Sequence, residues 1–140
     1  MSARPIRAAV ESFYADVWNR HDRSAIPALL RPDVTFRGSL GAVRSGHAAF
    51  AAYVDEVHAA LGDYRCDVLD LVCEDRRAFA RMRFSGVHRG PFLGFAPTGE
   101  RVAWSGAALF TADADGLLAD VWVLGDLQAL HEQLRANAAR

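Results

Sequence analysis

His88-Arg89-Gly90-Pro91-Phe92-Leu93-Gly94-Phe95-Ala96-Pro97-Thr98-Gly99 stands between two segments of alternating apolar residues, and its reading decides the fold. Three glycines and two prolines mark a connection, yet it carries Phe92, Leu93 and Phe95. Side chains this apolar are expected to fold back over an interior rather than stay in water. Upstream, residues 64–73 and 77–88 read as a long hairpin turning at Glu74-Asp75-Arg76. Downstream, residues 101–111 and 117–125 read as a second, with Asp115-Gly116 as a favourable turn pair. Together with the closing run Asp120-Val121-Trp122-Val123-Leu124-Gly125-Asp126, the apolar connection suggests a small cone built around a cavity.

Ahead of the hairpins the period is helical. Ile6, Val10, Phe13, Val17 and Trp18 predict a helix from Pro5 to Arg20, with Pro5 in the tolerated first turn. Ser24 is expected to cap a short helix running to Leu30. Val34-Thr35-Phe36-Arg37 reads as a brief strand, followed by a loop between Gly41 and Gly46. Phe50, Tyr53, Val54, Val57 and Leu61 predict another helix, ended by Gly62. Asp126 opens a last one with Leu127, Leu130 and Leu134. Helices, then a mostly antiparallel sheet, then a helix give an α+β fold in one domain spanning 1–140.

The bulk properties exclude several functions. In 140 residues, 51% are hydrophobic and 24% charged, which is ordinary for a folded domain. A net charge of −1 with scattered arginines predicts no nucleic-acid partner. No apolar run reaches membrane-spanning length and the first residues lack a signal-peptide core, so no membrane association and a cytoplasmic location are expected. The chain has no lysine, which removes Schiff-base chemistry on that side chain. Cys66 and Cys73, about 23 Å apart along one strand and of opposite parity, are not expected to pair. Histidines and carboxylates show no metal-binding spacing, so no metal is expected.

Residues 117–124 read as apolar on both faces, with Val121 and Val123 one way and Leu118, Trp122 and Leu124 the other. Helices cover one side of a sheet, so the other is expected to pack on a second copy, giving a homodimer through the sheet.

The segment Gly86 to Gly99, together with Val121-Trp122-Val123-Leu124-Gly125-Asp126-Leu127, Leu130 and Gln133-Leu134, resembles the SnoaL-like polyketide cyclases of the nuclear transport factor 2-like superfamily. The resemblance implies a cone-shaped, curved, mostly antiparallel sheet with N-terminal helices on its concave face. It also implies a deep apolar pocket for a hydrophobic small molecule and cofactor-free aldol cyclisation. That reaction needs a base to take a proton beside a carbonyl and a donor to steady the enolate. At the positions of the family's catalytic aspartate and histidine this chain has Val123 and Ala108, neither of which moves a proton. Epoxide opening, isomerisation, hydroxylation and ligand binding without catalysis therefore stand beside cyclisation as expectations.

His88 is the strongest remaining polar candidate, as an acid/base or as a strand-end histidine bonding the glycine segment. Asp126 reads as a helix cap or as a carboxylate orienting His88. Tyr53 is the candidate hydrogen-bond donor. Trp18, Phe36, Phe92, Phe95, Trp104, Val121 and Val123 are the candidate substrate-binding wall, with core packing as the alternative. Arg81 and Arg83 fall opposite Met82 and Phe84, on the face expected to be solvated.

Overall fold

The computed structural model describes residues 5–140. Helix α1 (Ile6–Ser12) leads through a π-helical segment (Phe13–Asn19) and a 3-10 turn (Arg23–Ala25) to α2 (Ile26–Leu29). There follow β1 (Leu30–Arg37), β2 (Val43–Ser45), α3 (His47–Ala60), β3 (Leu61–Glu74), β4 (Arg77–His88), β5 (Arg101–Ala112), β6 (Leu118–Gly125) and α4 (Leu127–Ala138). The strands form one curved sheet in the order β2-β1-β6-β5-β4-β3, antiparallel except for the β1–β6 pair. The architecture is the expected α+β cone.

Alternation decides what the concave face holds. Ala78, Ala80, Met82, Phe84 and His88 of β4 are buried, as are Val102, Trp104, Ala108 and Phe110 of β5. Arg81 and Phe79 lie on the opposite, exposed side.

The first helix differs from expectation in its second half, which is π-helical. Its buried residues, Ala9, Val10, Phe13, Tyr14, Val17 and Trp18, form pairs that recur every four positions. An α-helix of 3.6 residues per turn would rotate such pairs off the core, whereas a wider π turn keeps them facing it. Arg20 N–H donates to Ala15 C=O at 3.0 Å and Asp22 N–H to Asp16 C=O at 2.9 Å, closing the segment.

Four other expectations are corrected. Asp22, not Ser24, caps the next turn, its carboxylate accepting from Ser24 N–H at 3.0 Å. The helix α3 ends at Ala60, and Leu61 and Gly62 already belong to β3. Gly62 makes room for a neighbour rather than a helix end, since a Cβ there would stand 2.5 Å from the Arg89 guanidinium. Residues 43–45 form a short edge strand instead of loop, paired to residues 35–37. Finally, a register shift at the Thr111–Ala112 end of the β5–β6 pairing opposes Leu118 to Ala112 and Asp120 to Thr111. The additional residue turns Leu118 into the core, away from Trp122 and Leu124.

Side chains protect backbone that strands leave unpaired. The Asn19 amide meets Cys66 of edge strand β3 on both sides, donating to its C=O at 2.9 Å and accepting from its N–H at 2.7 Å. Gln133 of α4 does the same for Ala103, accepting at 2.9 Å and donating at 2.6 Å, where β6 no longer runs beside β5. Cys66 and Cys73 are both free thiols.

Candidate functional site

The concave face and the N-terminal helix enclose a hollow. The π segment contributes Phe13, Tyr14 and Trp18; the end of β1 and the turn beyond it contribute Phe36, Gly38, Ser39 and Leu40. Tyr53 and Val57 come from α3, Tyr64 and Cys66 from β3, Phe84 from β4 and Val123 from β6. The cavity measures about 20 Å³, room for little more than a water molecule. Rings fill the rest, with the Trp18 centroid 6.1 Å from Tyr53 and 5.6 Å from Tyr64. A ligand of several fused rings needs several hundred Å³, so admitting one requires these side chains to swing aside.

The polar side chains lining the hollow are hydroxyls and a thiol, each able to donate a hydrogen bond. Tyr53 is pushed up to about 12 by burial, with Arg44 over its ring at 5.3 Å pulling the other way. Burial holds Tyr14 and Tyr64 well above the usual tyrosine range, and the adjacent Cys66 adds to both. Burial likewise pushes the Cys66 thiol up, against the opposing contact with the Tyr64 hydroxyl. All four stay protonated at neutral pH, because a charged form in this apolar setting would lose its hydration. The Tyr14 hydroxyl is buried without a partner among the described residues. Glycine at 38 is what admits the Tyr53 hydroxyl, since a Cβ there would lie 2.7 Å from it. No carboxylate, imidazole or guanidinium group is among the lining side chains.

Of the residues singled out from sequence, Trp18, Phe36, Tyr53 and Val123 meet in this hollow. Val121 is buried one alternation further along β6, paired with Phe110 and Phe36. Trp104 is buried behind Tyr64 and Phe84, at 6.3 and 5.5 Å between ring centroids. The glycine-rich segment was expected to roof the cavity, but Gly38, Ser39 and Leu40 border it instead. Phe92 is buried between His88 and Trp104, and half-buried Phe95 lies 6.4 Å from the His131 ring.

His88 is fully buried, with Nδ1 3.4 Å from the Thr98 hydroxyl and Nε2 without a partner among the described residues. The expected His88–Asp126 pairing is not made. Asp126 caps α4, its carboxylate accepting from Ala129 N–H at 3.1 Å. Ala108 is buried between Ala80 and Val123, so the family's histidine position offers no proton here.

Reasoning from sequence missed Tyr14, Tyr64, Cys66 and Ser39. The signal for Tyr14 was its four-residue spacing to Val10 and Trp18; for Tyr64 and Cys66 it was shared strand parity. His58, beside the hollow, is tied to the π segment. Its Nε2 donates to Trp18 C=O at 2.8 Å and its ring stacks on His21 at 4.0 Å. Burial holds its pKa below the usual imidazole range despite the carbonyl contact. Among the described residues no three His, Cys, Asp or Glu side chains gather closely enough to hold a metal ion, and no helix is long and apolar enough to cross a membrane.

A curved sheet closed by helices over an aromatic hollow defines a protein of the nuclear transport factor 2-like class. The SnoaL-like polyketide cyclase family model matches residues 8–134, and the chain belongs to that family. TsrD from Streptomyces laurentii is 32% identical with a TM-score of 0.82, the match covering 94% of this chain and 95% of that one. AclR from Streptomyces galilaeus, a candidate hydroxylase, is 26% identical with a TM-score of 0.78, covering 93% and 84%. A candidate polyketide cyclase from Acidithiobacillus ferrooxidans shares the fold at 23% identity, with a TM-score of 0.83 over 99% and 100%. No curated protein matches the chain.

Proposed function

We propose that this chain is a cofactor-independent enzyme that holds a hydrophobic, oxygenated, polyketide-like substrate in the hollow and polarises its carbonyl through tyrosine hydroxyls. The observation that carries this is the set of three protonated phenols on one apolar cavity, with the Tyr14 hydroxyl lacking a partner among the described residues. A buried donor left unpaired costs about 1–3 kcal/mol, which a ligand oxygen would recover. Donors aimed at a carbonyl oxygen gain strength as it becomes an enolate in a site of low polarity. His88 is the proposed proton acceptor only for a substrate that displaces Phe92 and extends past Trp104; for a compact ketone held in the hollow, water takes the proton. Asp126 remains with α4 as its cap.

The test needs no knowledge of the natural substrate. Exchange of the protons beside the carbonyl of α-tetralone with solvent deuterium, followed by NMR, reports enolisation directly. The protein is expected to accelerate it, and Tyr53→Phe to lower the protein-catalysed rate by about a hundredfold. Tight binding of α-tetralone with exchange at the solvent rate would replace this reading with the second one, a binding protein. That second reading is favoured by the absence of a proton acceptor from the lining side chains.

The proposal extends to assembly and location. Phe79, Trp122 and Leu124 are 49%, 42% and 50% exposed on the convex face, and the register sets Phe79 and Trp122 on either side of Leu109. A second copy covering this row makes a homodimer through the sheet, back to back, leaving both hollows outward. Light scattering is expected to give twice the chain mass for the wild type and one chain mass for Leu124→Arg; a monomeric wild type ends the proposal. The free thiols of Cys66 and Cys73 agree with a reducing cytoplasm.

A further inference from the structure

Arg44 belongs to a segment that reads as loop in the sequence and forms the short edge strand β2 in the structure. Antiparallel residues directly opposite each other present their side chains to the same face of a sheet. Arg44 pairs with Phe36, so it falls on the face that carries Phe36 into the hollow. Its neighbours Val43 and Ser45 turn the other way and are exposed, whereas Arg44 is partly buried. There its guanidinium carbon lies 5.3 Å from the centre of the Tyr53 ring. Phe36 packs against the same ring, with centroids 5.6 Å apart. Two loose contacts occupy the rest of the guanidinium. Nη1 donates to Val43 C=O at 3.1 Å, and Nη2 stands 3.5 Å from the carboxylate of exposed Glu56, three residues beyond Tyr53 on α3. Of the three phenols on the hollow, only Tyr53 has a guanidinium against its ring among the described residues. Burial raises the Tyr53 pKa; Arg44 opposes that rise, while Glu56 and Cys66 add to it. Tyr14 and Tyr64 are raised by burial and by Cys66 with no such counterweight. A cation over a phenol stabilises the charge its oxygen gains on yielding the proton, so the three hydroxyls are unequal donors.

We propose that Arg44 is a positioning residue, its guanidinium fixing the Tyr53 ring and making that hydroxyl the leading donor to the enolate oxygen, with Glu56 restraining the effect. The inference rests on the hollow being a carbonyl site, as argued above, and gives the charge-bearing role to Tyr53 rather than to Tyr14 or Tyr64. In enolisation the proton beside the carbonyl passes to water and its bonding pair becomes the C=C π bond. The carbonyl π pair moves onto oxygen, where the Tyr53 O–H holds the oxyanion by a hydrogen bond. A deuteron returned to the carbon from deuterium oxide completes the exchange. A more acidic donor gains little on a neutral carbonyl and much on an oxyanion, so Arg44 acts on rate rather than on affinity.

Two readouts separate this role from packing. Deuterium exchange of α-tetralone gives the rate. Difluorotyrosine placed site-specifically at position 53, a more acidic phenol than tyrosine, reports by fluorine NMR the pH at which the ring ionises. Arg44→Gln, checked for native circular dichroism, is expected to lower the protein-catalysed exchange about tenfold and to leave the α-tetralone dissociation constant within about twofold. The same substitution is expected to move the fluorophenol midpoint to higher pH. Arg44→Lys keeps a cation near the ring and is expected to recover much of the rate. Glu56→Gln removes the opposing carboxylate and is expected to raise the rate and lower the midpoint. An unmoved midpoint in Arg44→Gln would overturn the role of Arg44 whatever the rate does, since any slowing would then come from packing; the carbonyl site would stand. Exchange by Arg44→Gln at the wild-type rate would do the same. Wild-type exchange no faster than in solvent alone would overturn the carbonyl site itself, and the assignment of Tyr53 with it.

Discussion

Val123→Asp is expected to raise the α-proton exchange rate by at least about a hundredfold over the wild type, because it places a base on the wall of the hollow. Val123 lines the cavity on the same sheet face as Phe84 and beneath the tyrosine hydroxyls. A carboxylate there would lose most of its hydration, which raises its pKa and its basicity, while phenol donors keep it ionisable. The same burial destabilises the fold by about 2–4 kcal/mol. Its pH dependence has a definite sign. A carboxyl whose folded pKa lies above its unfolded value binds more protons when folded, so stability is retained at low pH. It is lost as pH rises from the unfolded pKa through the raised folded one. Urea unfolding at pH 5 and pH 8 is expected to show the variant losing ground to the wild type at the higher pH. A folded variant with no gain in exchange would mean that ligand carbonyls do not reach the Val123 wall.

That outcome bears on how far the sequence could be read. The hairpins, their turns and the terminal helix were legible because twelve or more residues of alternation in β4 and β5 leave one face apolar. The π segment and the β6 bulge were not, since both are set by what tertiary packing accepts: Phe13 and Tyr14 side by side, and Leu118 turned inward. Within the site, periodicity put Trp18, Tyr53 and Val123 on inner faces, and the family resemblance is what marked them as cavity positions. His88 followed correctly onto the inner face, but parity carries no information about depth. It lies four residues beyond Phe84, about 13 Å further along the strand, so the hollow ends before reaching it. Tyr14 was hidden because a period of 3.6 assigns its neighbour Phe13 to the core and turns position 14 partly away. The protonated hydroxyl and thiol lining of the hollow comes from that omitted residue together with Tyr64 and Cys66, contributed by elements distant in sequence.

Phe13→Ala is expected to lower stability by about 3–5 kcal/mol, a large share of the total for a domain of this size. Phe13 is fully buried, with ring centroids 5.1 Å from Tyr14, 5.6 Å from Phe50 and 5.6 Å from Phe110. Removing it deletes contacts to three aromatic partners whose backbones belong to different elements, so collapse around the gap is limited. Because Phe13 also lines the hollow, the space released adds to a cavity that otherwise has little room. Stability and capacity therefore move in opposite directions at this position. Urea unfolding with and without α-tetralone measures both. At a ligand concentration a hundred times the dissociation constant, binding restores about 2.7 kcal/mol. The variant is expected to recover more stability than the wild type at the same α-tetralone concentration, since its enlarged cavity accommodates the bicycle without displacing Trp18. Equal recovery in the two proteins would show that the space vacated by Phe13 is sealed from the ligand. In that case the tryptophan and tyrosine rings, rather than the floor of the hollow, set the size of the guest.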